Sequence, residues 1–380
     1  MWLEMVVCGS DQAVAISITR SGDLTMSETV ATSRNSEQAI VVPVDALNEL
    51  VMTVFVKKTM YPADAELGSQ RLIEADLRGI HSHGTRALKS SLEAIDTGDI
   101  DPRAHVLTLN DTPAMAVLDG GKGLGHVVAS RGMKLAIDKA RAIGTGTVAV
   151  RNGQYFGAAS VYVLMAVNEG MIGYCTTSSG PATVAAYGSR QPATANNAIA
   201  WGVPTRSEAP FILDMDCAVS SWEKVGSLKK YGETLPDGWA LDKDGNQTAD
   251  PAAAKTLNPA AGARGYGLAF LSSVLAGPLV GGKMPFHKTR SPVREVSEHF
   301  FYAIDPSYFG ETDEFYERLE TAMTDIRALE PADGFDKVRL PGDLEWEQSE
   351  RWKRDGIPLQ RDHVQMLDKL AHRLKIDVPW

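Results

Sequence analysis

Apolar and polar positions fall into two textures along the chain. Three early stretches, "PVDALNELVMTVFVKK", "PADAELGSQRLIEADLRG" and "TRALKSSLEAIDTG", place apolar residues three and four apart, the spacing of one helix face. The second and third close on Gly79 and Gly98, where a left-handed residue commonly ends a helix. From Ala114 the pattern changes. "AMAVLDG", "GTVAVRN", "MIGYCTTSS", "NAIAWGVP" and "PFILDMD" have the length and apolar character of strands. The helical stretches "GHVVASRGMKLAIDKARAIG" and "GAASVYVLMAVNEG" separate the first three, which predicts an α/β layer with parallel pairs. "GYGLAFLSSVLAGPLVGG" is apolar nearly all round and predicts a buried helix. One more strand, "EHFFYAID", and acid-rich helices around "EFYERLETAMTDIRALE" and "HVQMLDKLAHRLK" complete the plan. That plan is a helical N-terminal part, an α/β centre and a C-terminal segment that returns to one of them.

Composition narrows the class. The chain has 380 residues, 44% of them apolar and 23% charged, which suits a globular protein of two or three domains. A net charge of −10 argues against nucleic acid or an anionic membrane as partner. No apolar run approaches the ~20 residues of a membrane span, and Glu4 and Asp11 interrupt any signal peptide. The three cysteines, Cys8, Cys175 and Cys217, are too widely spaced for a disulfide framework or a zinc site. A reducing cytoplasm is the simplest compartment. Residues 1–38 are polar and Ser/Thr-rich towards their end, and are expected to be a poorly ordered extension or to lie upstream of a true start at Met26.

Candidate chemistry concentrates in three places. "AMAVLDG" followed by "GKGLGHVVAS" comes near a dinucleotide fingerprint, but Val128 stands where a third small residue is needed, so a Rossmann domain is not expected. In "GIHSHGTRAL", Ser82 suits a helix N-cap, and Arg86 lies one turn inside. A helix N-terminus with a guanidinium makes a carboxylate cradle, and His83 beside it could pass a proton to a neighbouring carbonyl oxygen. The plainer alternative is a capping serine with two solvated histidines. No paired ligand spacing supports a metal. In "VAVRNGQYFGAAS", Gln154 and Tyr155 fall on a βα turn at a strand's carboxyl end, where open α/β sheets place ligands. Asp214 and Asp216 leave the strand "FILDMD" and either bind ribose hydroxyls or orient a histidine, or only cap a turn.

Taken in order, these blocks resemble the malate/L-lactate dehydrogenase family of the non-Rossmann type, which includes ureidoglycolate and sulfolactate dehydrogenases, diketogulonate reductase and piperideine/pyrroline-2-carboxylate reductases. The blocks are "EADLRGIHSHG", "VLDGGKGLGHVVASRGMKLAI", "VAVRNGQYFGAAS", "GMIGYCTTSSGPATVAAYGSRQP", "FILDMD", "GYGLAFLSSVLAG", "FFYAIDPSYFG" and "VRLPGDLEWEQSERWKRDGIPL", and they span about Val42 to Trp380. The resemblance implies a mixed-sheet, non-Rossmann α/β core that binds NAD or NADP. It also implies a homodimer and reversible hydride transfer to a small 2-oxo acid or cyclic imine acid. It divides the chain into a helical part of the substrate and dimer domain (39–112), a cofactor-binding core (113–290) and a C-terminal segment returning to the first domain (291–380). His83 falls on the acid/base position, with Ser82 its neighbour. Ser179, Asp214, Met215, Asp216, Arg264, Gly265, Gly342, Asp343 and Glu345 fall on cofactor-binding positions. His81 has no family role and reads as surface.

This chain departs from the family pattern at several points. Tyr155 stands where the family commonly has a histidine that some members use as acid/base; a phenol donates a proton more readily than it takes one near neutrality. Arg86 lies two residues after Gly84, whereas the family's arginine lies three after. Arg264 replaces a lysine, and Asp216 adds a carboxylate that disfavours a 2′-phosphate, tilting the expectation to NAD.

Overall fold

The computed structural model describes residues 39–380 and, before them, the backbone of an antiparallel pair of short strands, Ala15–Ile18 and Leu24–Ser27. The expected extension over 1–38 otherwise lies outside the described residues.

The helical part forms as its spacing predicts. Helices α1 (Val44–Lys57) and α2 (Pro62–Leu77) bury Leu47, Leu50, Val54, Phe55, Leu72 and Ile73 in one cluster, with α3 (Leu88–Asp96) adding Leu88 and Leu92. The chain end closes this cluster. Strand Ile357–Gln360 pairs antiparallel with Ala39–Val42, and the final helix contributes Val364, Leu367 and Leu370.

The central sheet has seven strands: β1 (Leu107–Asp111), β2 (Met115–Asp119), β3 (Thr145–Gly153), β4 (Ile172–Ser178), β5 (Ala198–Val203), β6 (Phe211–Asp216) and β7 (Ser297–Ile304). Their order is β6-β5-β4-β7-β3-β2-β1. Only β2 and β3 run parallel within it, joined by the crossover helix α4 (Gly125–Ile143). The expected parallel partnership of β3 with β4 does not form. Strand β7 inserts between them, antiparallel to both, and buries Phe301 and Ala303. Ser297–Ile304 thus belongs to the central sheet, and the chain rejoins the helical cluster with Trp352 and strand Ile357–Gln360.

Two other expectations change. After α5 (Ser160–Val167) and α6 (Trp222–Tyr231), helix α7 (Ala263–Leu275) is buried only along Gly265, Ala269, Ser272 and Ser273, while Leu268, Phe270 and Leu271 are 41–53% exposed. With the turn that follows, Ala263–Val280 has the length and mean hydropathy (1.2) of a membrane span, though 39% of it packs inside the fold. A second sheet of five strands, each only two or three residues long, lies between β4 and α7 in sequence and went unread because such strands are too short to alternate.

Register fixes where chemistry can gather. Ser297 of β7 is opposite Gly153 of β3, Glu298 is opposite Ser178 of β4, and Ala198 of β5 is opposite Asp216 of β6. The carboxyl ends of β3, β4 and β6 thus meet at one end of the sheet. The turns carrying Tyr155 and Ser179, and Asp216 itself, share that end.

Candidate active site

The turn carrying His83 is built around a carboxylate. Asp76, fully buried near the end of α2, accepts from the Thr85 backbone N–H at 2.8 Å and from the Thr85 hydroxyl at 2.6 Å. Its other oxygen lies 2.8 Å from His81 Nδ1. Gly84 lies directly over this carboxylate, and a Cβ there would stand 2.2 Å from Asp76 Oδ1, so no larger residue fits. Asp76, not Ser82, ties down the start of the next helical segment, which begins as a 3-10 turn over Thr85–Ala87. Ser82 instead bonds its neighbour, with Ser82 Oγ 2.7 Å from His83 Nδ1. That contact leaves Nε2 as the nitrogen His83 can offer to a ligand.

His81 is not simply surface. Its side chain is 22% exposed, and its ring stacks on Trp352 at 5.7 Å besides bonding Asp76. It belongs to the support of the turn.

Tyr155 comes to His83 from the other side, with ring centroids 6.0 Å apart and planes tilted by 37°. Its turn sits tightly over the first turn of α4: a Cβ on Gly125 would stand 2.1 Å from the Tyr155 carbonyl oxygen and 2.2 Å from that of Gln154. Burial, then the charges of Glu223, Asp216 and Asp214, holds the Tyr155 phenol well above its ordinary range. Asp214 accepts from the Ser160 backbone N–H at 2.8 Å, at the start of helix Ser160–Val167. Asp216 takes a bond from Asn196 Nδ2 at 2.9 Å. Burial pushes Asp216 up to about 8, with Asp214 and Glu223 adding to the rise. Met215 lies between them on β6, half-buried and packed against the small cluster of Ile199, Cys217 and Ala269. Glu223, in the first turn of helix Trp222–Tyr231, was not singled out in the sequence; its place following Ser221, which caps that helix, is the only local signal.

The remaining candidates divide. Ser179 lies beside Thr177 at 3.1 Å between hydroxyl oxygens, at the end of β4. Gly265 abuts the end of β6, since a Cβ there would meet Cys217 O at 2.6 Å, and the exposed Arg264 precedes it in the first turn of α7. Gly342 and Asp343 have structural work. Gly342 lies over Ile212 with φ of 94°, and Asp343 is bound by Arg327 through contacts of 3.0 and 2.6 Å and by the Leu340 N–H. Glu345 is buried beside Arg78, whose other neighbours are Glu74 and Asp214. Arg86 does not point at a vacant cradle. It bonds Asp362 and Gln360, each at 3.3 Å, and this guanidinium draws Asp362 down to about 2.

The set fits a dinucleotide. The exposed Arg264 in the first turn of α7, a turn that holds no acid, suits a phosphate, and the carboxyl groups of β6 suit hydroxyls.

Polar side chains thus gather at the carboxyl ends of strands in a mixed sheet, with an imidazole beside a phenol, and the relatives place this arrangement in the oxidoreductase class. The malate/L-lactate dehydrogenase profile matches residues 42–368. Malate dehydrogenase of Pyrococcus horikoshii is 33% identical over 354 residues, covering 90% of this chain and 97% of that protein. Ureidoglycolate dehydrogenase (NAD(+)) of Escherichia coli K12 is 30% identical over 330 residues, covering 85% and 93%. The solved structure of sulfolactate dehydrogenase from Methanocaldococcus jannaschii superposes with a TM-score of 0.83 at 30% identity, covering 89% of this chain and 98% of that one. The chain belongs to the malate/L-lactate dehydrogenase family.

Proposed function

We propose that the protein catalyses reversible hydride transfer between a nicotinamide dinucleotide and C2 of a small 2-oxo or 2-hydroxy acid. The observation that carries this reading is the His83 ring, held at Nδ1 by Ser82 and facing Tyr155 at the carboxyl end of the sheet. Hydride would be supplied or received by a nicotinamide held at this site. His83 Nε2 then gives a proton to the oxygen of the reduced carbonyl, or takes it back in oxidation. Tyr155 keeps its own proton because its phenol is held above the ordinary range, so it serves as a neutral donor to the substrate and not as a base. Arg86 is the candidate for the substrate carboxylate. Its pair with Asp362 is exposed and of the kind worth about 0–1 kcal/mol, so a carboxylate in the cleft can displace it.

Arg264 would hold the pyrophosphate, with the carboxyl of Asp216 and the hydroxyl of Ser179 at the same end of the sheet taking hydroxyl groups. NAD is preferred over NADP in this account because carboxyl groups, and not further cations, surround Asp216. The preference is sensitive to pH. Asp216 ionises as pH rises through about 8, so discrimination against NADPH should grow between pH 6.5 and 9, and Asp216→Asn should abolish that growth. Fluorescence titration with NADH and NADPH at both pH values measures it. The exposed Leu268, Phe270 and Leu271 of α7 would be covered by a second copy of the chain, making a homodimer.

The substrate experiment is steady-state oxidation of NADH and NADPH with a panel of 2-oxo acids and cyclic imine 2-carboxylates. Turnover of a 2-oxo acid supports the reading. Turnover of cyclic imines alone moves the substrate to that class. Tight NADH binding with no turnover of any acid would mean that Tyr155, in place of the usual histidine, marks lost catalysis.

A further inference from the structure

Asn196 was absent from the candidates above, yet its amide is devoted to the exit of β6. It lies on the loop between strand Pro192–Thr194 of the second sheet and β5. Its Nδ2 donates to Asp216 Oδ2 at 2.9 Å and to the Ser220 carbonyl at 3.1 Å. Its Oδ1 accepts from the Ala218 backbone N–H at 2.8 Å. Asp216, Ala218 and Ser220 are thus gathered on a single side chain.

The same exit is tied to the segment that leads into α7. The Val219 N–H donates to the Asn258 carbonyl at 2.9 Å, and the Ala260 N–H to the Cys217 carbonyl at 2.9 Å. The next residue of the loop, Asn197, bonds α7 itself, through Nδ2 to the Ala269 carbonyl at 3.0 Å and to Ser273 Oγ at 2.8 Å. Two consecutive amides therefore join the Asp216 end of β6 to the helix that carries Arg264 in its first turn. An amide that only braced a turn would need no more than its two backbone bonds. The bond to Asp216 reaches a titratable group, and a donated N–H favours the ionised form of a carboxyl. The titratable groups that bear on Asp216 are Asp214 of its own strand, Glu223 of α6, Tyr155 of the turn after β3 and the adjacent Cys217. Burial, Asp214 and Glu223 raise Asp216, and Asn196 acts against them.

We infer that Asn196 is a positioning residue for cofactor choice: its Nδ2 holds the Asp216 carboxyl in one orientation and sets how firmly the site rejects a 2′-phosphate. This rests on Asp216 being the acid that discriminates between NADH and NADPH. The bond acts in two ways. It fixes Oδ2 against the turn, so the carboxyl meets the cofactor already oriented. It also stabilises the carboxylate, so the charge that repels a phosphate forms at a lower pH than burial alone would permit.

The test follows NADH and NADPH affinity of the intact protein by fluorescence across the pH window given above. A phosphate monoester loses its second proton near about pH 6, so the cofactor's own charge changes little there. In the wild type, discrimination against NADPH should rise with a midpoint of about 8. Asn196→Leu keeps the volume and loses the donor. Its midpoint should lie about one pH unit higher, because a hydrogen bond to a charged group contributes on that scale. At the acid end of the window, where Asp216 is protonated in both proteins, the ratio of the two affinities should match wild type. An unmoved midpoint, or an equal loss of both cofactors at every pH, leaves Asn196 a brace only and overturns the inference. A second readout needs neither a variant nor a cofactor. In the ligand-free wild-type protein, the side-chain amide NMR signals of Asn196 should inflect at the pH where the Asp216 carboxyl 13C shift does; no inflection overturns the inference. Asp216→Asn separates the two levels. If that variant keeps the wild-type rise, the reading of Asp216 is lost and this inference with it. If it abolishes the rise while Asn196→Leu leaves the midpoint in place, only this inference falls.

Discussion

At the residue scale, the site depends on a few atoms with no slack. Gly84 covers the Asp76 carboxylate so closely that Gly84→Ala should push the whole turn away from its support. Overpacking of this kind costs about 1–3 kcal/mol, and the larger figure is expected because the atoms met belong to a buried carboxylate. Urea unfolding measures the loss, and activity should fall with it because His83 is carried by the same turn. The sequence made His83 and Ser82 legible as candidates through the resemblance and through helix-end chemistry. It did not make Asp76 legible as their support. Asp76 reaches His81 and Thr85 over five and nine residues, which looks like any helix end, and the third layer, His363 at 3.0 Å from the Thr85 hydroxyl, comes from 278 residues away. Ser82 was read as the cap because residue type favours serine there; a buried aspartate with two free oxygens reaches the same N–H more strongly.

At the element scale, most strands of five or more residues were legible, since apolar runs of that length have few alternatives. The order of strands was not. Nothing in "EHFFYAID" says that it slides between β3 and β4, because pairing is decided by what each face must bury and not by the pattern of one strand. Helix α7 was misread for a related reason. An apolar face left exposed on one chain has the same composition as a core face. The exposed side of α7 therefore gives a prediction of its own. Leu271→Glu should shift the protein towards monomer in sedimentation velocity, with little change in circular dichroism, because Leu271 is 53% exposed within one chain. A monomeric wild-type protein at micromolar concentration would contradict the proposed homodimer.

At the scale of the whole molecule, the chain returns to its beginning, and the helical cluster is sealed only when strand Ile357–Gln360 pairs with Ala39–Val42. The two cores meet at the turn between α2 and α3, which is where His83 stands. The buried histidines also shape the pH response of the entire fold. His126 and His299 are both brought down to about 3 by burial, whereas in the unfolded chain they titrate near their ordinary 6.5. Between those values the unfolded state binds more protons. The stability they contribute is thus present above about pH 6.5 and is lost as pH falls towards 3. Asp216, raised to about 8, works in the opposite sense and costs stability as pH rises from about 4 to 8. Thermal unfolding across pH 4–7 should show the acid loss, and His299→Gln should flatten it.

The central claim is that His83 is the proton donor of a nicotinamide-dependent reduction. Its most direct test is kcat for the best acid of the panel in His83→Ala, with NADH affinity measured on the same preparation. kcat should fall by about 10² to 10⁴ with NADH binding retained. An unchanged kcat would contradict it.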